Sequence, residues 1–361
     1  MRAFNLIIFT LLISSRAFPQ EPVKVAVAGL THGHVDWIFN RENAKDILLV
    51  GIYEPNKALS KKYAERYKLN PNIFFTDLED MLEKVKPEAV TAFGATNEHI
   101  EVVRKSAPRG IHVMVEKPLA TNLKDAKDIQ RLAAKHKIHV LTNYETSWYP
   151  SNREVKTMLE DGKLGEIKKV IVNDGHEGPK EIGVSDEFLE ILTDPVKNGA
   201  GALMDFGCYG ANLMTWLMEG EKPQSVTAVI NQNKPGIYSK VDDEATIILQ
   251  YPKSQCIIQA SWNWPFSRKD MEVYGVTGYA VAKDATTLKY RVAANSPEET
   301  KKLNYSGEIY EDPFNFLAAI VRGNEEIEVN NLYGLPINIT VVEILEAAKK
   351  SAAQGKTIYL E

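Results

Sequence analysis

Between residues 23 and about 144, short apolar runs alternate with amphipathic stretches. VKVAVAG, ILLVGIYE, IFFT, AVTAFG, IHVMVEK and IHVLTNY are apolar at nearly every position, the pattern of strands buried on both faces. Between them, LEDMLEKV and LKDAKDIQRLAAKHK return apolar residues at helical spacing. Strands alternating with helices predict βαβ units and a parallel, doubly wound sheet.

Beyond Pro150 the period changes. Helices are predicted over 151–160, 185–192 and 205–219. Runs with period-2 character follow: SVTAVINQ, DEATIILQYP, QCIIQASWNW and MEVYGV. Gly, Pro, Asn and Asp separate them, which favours a mostly antiparallel sheet. A last long helix over 337–353 should stop at Gly355. With 361 residues the chain is long for a single core. It divides into a nucleotide-type α/β domain, 21–145, and an α+β domain, 146–361. The cleft between two such domains is the natural ligand site.

The first twenty residues stand outside this pattern. MRAFNLIIFTLLISSRAFPQ has an early Arg, an uncharged apolar stretch from residue 4 to 13, then small and polar residues. That stretch has the length of a signal-peptide core and is too short to span a bilayer. The expectation is an exported, periplasmic protein with no membrane attachment after cleavage. Without Arg2 and Arg16, 41 basic residues face 48 acidic ones, a formal charge of −7. That balance argues against nucleic acid or an anionic membrane as partner. Cys208 and Cys256 are too few for a disulfide framework and read as small packing residues.

Three short motifs carry chemistry. In VAVAGLTHGHV, Gly29 ends a strand where a G-x-G-x-x-G loop would begin, but Thr31 and His34 occupy the later glycine positions. A helix N-terminus here would still offer backbone N–H groups to a pyrophosphate, with a hydroxyl from Thr31. His32 and His34 do not share a helical face or a recognised zinc spacing, so they read as loop or nicotinamide-side contacts; no metal is expected. Glu54, 25 residues after Gly29 at the next strand end, suits the adenosine ribose hydroxyls and favours NAD over NADP. In VMVEKPLATN, Glu116 and Lys117 close a strand at the edge where such sheets bind ligands. Lys117 precedes Pro118 and is held extended; the Lys-Pro bond is a candidate for the cis form. In GAGALMDFGCYG, Asp205 and Tyr209 are four residues apart and are expected on one helix face.

These residues resemble the Gfo/Idh/MocA family (glucose–fructose oxidoreductase, inositol dehydrogenase and MocA). ATNEHIEVVRKSAPRGIHVMVEKPLATN, GKLGEIKKV, GAGALMDFGCYG and ASWNWPFSRKDMEVYGVTG are similar to its landmarks, from Val23 to the C-terminus. The resemblance implies a Rossmann-type N-terminal domain and a nicotinamide-dependent oxidoreductase acting on sugars or cyclitols. It makes Gly29, Thr31, His32, Glu54 and Glu116 cofactor contacts, with Thr96, Asn97 and His99 on the nicotinamide side. Lys117 becomes the active-site lysine, which also meets the cofactor, and Asp205 the substrate-binding aspartate. Tyr209 stands where most members have the catalytic histidine, as it does in glucose–fructose oxidoreductase.

A phenol titrates near ~10, and a cation within about 4–6 Å lowers an acid by roughly 1–3 units. Lys117 is therefore expected to bring Tyr209 down into the range of a general base. Tyr144 and His176 are expected to line the substrate pocket. Trp262 and Trp264 are read as sheet packing or an oligomer face ahead of a sugar-stacking surface. A homo-oligomer through the C-terminal sheet is expected. The favoured reading is a sugar or cyclitol dehydrogenase. A redox-neutral, NAD-dependent glycosidase or lyase acting through a keto-sugar, and a non-catalytic sugar-binding relative, stand beside it.

Overall fold

The computed structural model describes residues 21–41, 45–305 and 312–360; the leader assigned to 1–20 lies outside them. The first domain is a six-stranded parallel sheet in the order β3-β2-β1-β4-β5-β6. Its strands are β1 (Val23–Ala28), β2 (Ile47–Tyr53), β3 (Phe74–Phe75), β4 (Ala89–Ala92), β5 (His112–Glu116) and β6 (Val140–Asn143). The order reverses between β1 and β4, and this switch point leaves a crevice beyond the strands' carboxyl ends. Helices α1 (Val35–Phe39), α2 (Lys57–Tyr67), α3 (Leu78–Val85), α4 (His99–Ser106) and α5 (Leu123–His136) connect the strands. Their starts are set by local chemistry: Asn56, Asp77 and Asn122 accept N–H bonds from the first turns of α2, α3 and α5, as capping residues do.

The second domain is a nine-stranded sheet, antiparallel except where its first strand, β7 (Ile167–Gly175), runs parallel to β10 (Gln255–Ser261). The others are β8 (Ser225–Asn231), β9 (Glu244–Gln250), β11 (Arg268–Gly275), β12 (Tyr279–Ala282), β13 (Thr287–Arg291), β14 (Glu299–Lys302) and β15 (Ile358–Tyr359). One face is covered by helices. Gly210 lets a helix approach Ile258 so closely that an added Cβ would lie 2.5 Å from it. The helices of this part are α6 (Pro150–Glu160), α7 (Asp186–Leu192), α8 (Ala202–Asp205), α9 (Gly207–Leu217), α10 (Pro313–Val321) and α11 (Leu335–Gln354). As expected, α11 ends at Gly355 in the left-handed conformation.

One expectation needs correction. The helix predicted over 205–219 breaks at Phe206 (φ −108°, ψ −31°) into α8 and α9, so Asp205 and Tyr209 do not lie on one helix face. The first turn of α8 is held by Asp242, whose carboxylate accepts the N–H groups of Gly201 (2.9 Å) and Leu203 (2.7 Å). The chain beyond 312 also returns to the first domain. Phe314 packs on Phe93, and Glu346 on α11 accepts the Leu123 N–H at 2.9 Å. No helix of the described residues is long and apolar enough to cross a membrane.

Candidate active site

At the end of β1 the backbone of Gly29 adopts φ +87°, and a Cβ there would sit 2.6 Å from the Gly94 nitrogen. Only glycine lets the two strand ends meet so closely. The crevice they frame is about 300 Å³ and is lined by Gly29, Thr31, Glu54, Gly94, Glu98 and His99, among others. Glu54 is buried, and its two oxygens accept the N–H groups of Leu30 (3.0 Å) and Asn56 (2.9 Å). It fastens the loop while leaving lone pairs for a ribose. Nearby, the buried Oδ1 of Asn97 and Nε2 of His99 have no partner, as befits a site that awaits a polar ligand. Thr96 is buried at the same turn. Thr31 departs from its expected role: its hydroxyl donates to the Phe93 carbonyl (3.1 Å), so that proton is not offered to a pyrophosphate. The Lys117–Pro118 bond is cis. His99 donates from Nδ1 to Leu119 in the same segment (3.3 Å), and burial pushes its pKa down to about 4.

Folding supplies the partner that His32 and His34 lack in sequence. Glu116, 82 residues beyond His34, is buried at the end of β5, and its Oε2 lies 3.1 Å from His34 Nδ1 and 3.8 Å from His32 Nε2. Its other oxygen accepts from Asn143 (2.6 Å), which is itself held by the Trp148 indole (2.9 Å). Burial alone would raise the Glu116 carboxyl, but the two imidazoles and these hydrogen bonds hold it down at about 2. The three side chains approach the spacing of a metal site. However, His32 Nδ1 accepts the His34 N–H (3.2 Å). The ring proton of neutral His32 therefore sits on Nε2, aimed at Glu116, where a metal would need a lone pair.

Lys117 reaches across the domain boundary. Its Nζ pairs with Asp205 Oδ1 and donates to the Asp205 carbonyl (3.0 Å), while Trp262 Nε1 donates to Oδ2 (3.0 Å). Trp262 is completely buried and holds Asp205 in place; it offers no stacking surface. Despite burial, the pair stays ionised, with Lys117 raised and Asp205 lowered by each other. The Lys117 ammonium also lies 5.1 Å from the centre of the Tyr209 ring.

That contact does not lower Tyr209 as expected. Burial pushes its phenol well above the ordinary value, and Glu145 and Asp174 push it further the same way. Lys117 meets the ring and does not offset burial and these carboxylates. Tyr144 is fully buried, with its ring edge-to-face to Tyr209 at 5.6 Å; it supports Tyr209 and presents no open surface to a substrate.

The structure adds residues that motif reading missed. A second cleft, about 820 Å³, is lined by His176, Glu145, Tyr149 and Lys269. His176 Nδ1 accepts the Gly178 N–H (2.9 Å), which leaves Nε2–H as a donor. Lys269 pairs with Glu145 and lies 5.0 Å from the centre of the Tyr209 ring. Opposite Lys269 in the sheet register stands Asp174, whose two buried oxygens have no partner and whose carboxyl is raised by burial. In sequence, Lys269 sits in SRKDMEV, a charged stretch with the look of a solvated strand; only its inward register could have singled it out.

A switch-point crevice in a parallel sheet, facing an α+β domain across a buried lysine, defines a dinucleotide-dependent oxidoreductase architecture. The chain belongs to the Gfo/Idh/MocA family: residues 23–144 match the oxidoreductase family with an NAD-binding Rossmann fold, and 152–281 match the GFO/IDH/MocA C-terminal domain. Similar curated proteins include trans-1,2-dihydrobenzene-1,2-diol dehydrogenase of Xenopus laevis, 30% identical over 168 residues, covering 45% of this chain and 46% of that protein. The rabbit (Oryctolagus cuniculus) dehydrogenase of the same name is 25% identical, covering 61% and 66%. The chain thus spans about half the length of the first curated relatives it matches. Among solved structures, the inositol dehydrogenase homolog of Azotobacter vinelandii with NAD+ has a TM-score of 0.81 at 17% identity, covering 94% of this chain and 98% of that one. The aldose-aldose oxidoreductase of Caulobacter crescentus with glycerol has a TM-score of 0.79 at 19% identity, covering 94% and 100%. At these identities the two structures speak for the fold alone.

Proposed function

We propose that the protein is an NAD-dependent dehydrogenase that oxidises a secondary hydroxyl of a sugar or cyclitol. The observation that carries this reading is the ionised Lys117–Asp205 pair, buried between the two domains and braced by Trp262. A buried ion pair is costly, and one that joins the two domains suits the recognition of a hydroxyl beside a nicotinamide. Gly29, Glu54, Asn97, His99 and Glu116 would hold the cofactor, which supplies a hydride acceptor when bound. NAD is favoured over NADP because Glu54, Glu98, Glu187 and Glu190 outnumber Lys197 and Lys105 around the first cleft, and a 2′-phosphate would meet net negative charge.

On the substrate side, Lys117 and Asp205 would bind one hydroxyl, His176 Nε2–H would donate to a second, and Lys269 with Glu145 would bracket the far end. Tyr209, buried beneath Lys269, stays a neutral phenol. The leader supports export to the periplasm. The half-buried face of the second sheet, with Ile171, Ile257 and Ile248 side by side in register, supports a homo-oligomer.

The test is to incubate the mature protein with NAD and a panel of sugars and cyclitols, and to follow NADH. Accumulating NADH with a ketone product is expected. Bound NAD recovered by mass spectrometry, with substrate consumed but no net NADH, would instead select redox-neutral chemistry through a keto-sugar. The leader favours this second reading, since free NAD is scarce outside the cytoplasm. Absence of any NAD binding would leave a sugar-binding relative.

A further inference from the structure

The connection from β7 to α8, residues 176–201, is long for a link between two elements, and its second half leaves its own domain. Glu187, Glu190, Ile191 and Lys197 line the first cleft together with Gly29 and Glu54. Three contacts fasten this wall to the first domain. The Phe188 ring meets the His32 imidazole of the β1–α1 loop at 4.5 Å. Glu187 pairs with Lys62 on α2 at 3.7 Å, and the Lys197 carbonyl accepts the Asn97 N–H at 3.1 Å. Burial raises the Glu54 carboxyl, and Glu98 and Glu187 add to that rise, so Glu187 reaches the end of the cleft assigned to the adenosine ribose.

Residues 185–198 are braced within themselves. Ser185 Oγ accepts the Phe188 N–H (3.2 Å), and Asp194 Oδ1 accepts those of Val196 (2.7 Å) and Lys197 (3.1 Å). Their hold on the first domain is lighter: one ion pair between part-exposed side chains, one ring contact and one hydrogen bond, each weak by itself. Gly183 and Gly199 stand on either side in the left-handed region, at φ +76° and +93°, where a braced piece can turn between them. The cleft of about 300 Å³ is at the small end of ligand sites, which run from ~300 to ~1,000 Å³. A dinucleotide lies along the whole of such a crevice, and a wall fastened along it bars its exit.

We propose that residues 185–198 are a strap of the second domain closed over the cofactor cleft. The Phe188–His32, Glu187–Lys62 and Lys197–Asn97 contacts must part before NAD can enter or leave. With the strap down, Glu54 and Glu187 bracket the ribose from different domains. The strap thus keeps the cofactor in place during chemistry and sets the rate of cofactor exchange. This rests on the dehydrogenase reading above.

Stopped-flow binding and release of NADH, followed by its fluorescence on cofactor-free protein, tests the strap. A gate slows entry and exit alike, whereas an ordinary contact acts mostly on exit. In the wild type, the observed binding rate should level off with rising NADH at the rate of strap opening. Lys62→Ala removes the ion pair from the α2 side, and should speed association and dissociation together by about 2–5-fold. Phe188→Ala should speed both by about 10-fold. If Phe188→Ala does not fold, Lys62→Ala carries the test alone. Variants that speed release while entry stays at the wild-type rate reduce the segment to a passive wall and overturn the proposal. So does a wild-type binding rate that stays proportional to NADH. Gated NADH binding with no oxidation of any sugar or cyclitol sinks the dehydrogenase reading and leaves the strap standing, while protein that binds no NADH sinks both.

Discussion

Lys117 and Asp205 show how one contact can serve both stability and chemistry. Removing one partner of a buried pair leaves the other charged and unpaired, at a cost of about 3–5 kcal/mol. Asp205→Asn should therefore lower the unfolding midpoint as well as abolish NADH formation, both read on the same preparation. Glu116 and Glu145 are each held at about 2, below the ordinary glutamate value of ~4.3. A depressed carboxyl contributes stability above its unfolded pKa and loses it as pH falls through the folded one. Urea unfolding should thus show stability falling between about pH 5 and about pH 2, with a shallower slope in Glu145→Gln than in the wild type. The motif residues were legible one by one in the sequence; Lys269, Glu145 and Asp174 were not. Protonation states were not, because these depend on burial and on neighbours from other segments of the chain.

At the scale of elements, the β1–α1 loop and the α8–α9 break do most to shape the site. The loop is pinned by Glu54 on the end of β2 and by the contact of Gly29 with Gly94. Gly29→Ala combines a positive φ with a 2.6 Å approach to backbone, so NAD titration should show affinity reduced by at least an order of magnitude. Glu54→Ala should weaken NAD while improving NADP, narrowing the preference measured by the ratio of their dissociation constants. Strand and helix positions followed from apolar periodicity, which reports burial directly. The break at Phe206 did not, because local spacing carries no trace of the contacts that Asp242, Lys117 and Trp262 make with the turn before it. The Asp205–Tyr209 pairing expected from i, i+4 spacing fails at that break.

For the whole molecule, α11 and α10 tie the second domain back onto the first, so the two should unfold together. If the aligned isoleucines form an oligomer face, Ile257→Asp should lower the mass seen by light scattering to that of a folded monomer. The sequence by itself determined the two-domain plan, the parallel sheet followed by the mostly antiparallel one, the glycine turn and the Glu-Lys-Pro strand end, since local periodicity, turn chemistry and short motifs encode these. Only the tertiary structure decided which charges meet. It placed Glu116 against His34, Trp262 behind Asp205, and Lys269 beneath Tyr209. Each of these contacts joins distant segments, and the burial that shifts a titration exists only once both segments have packed.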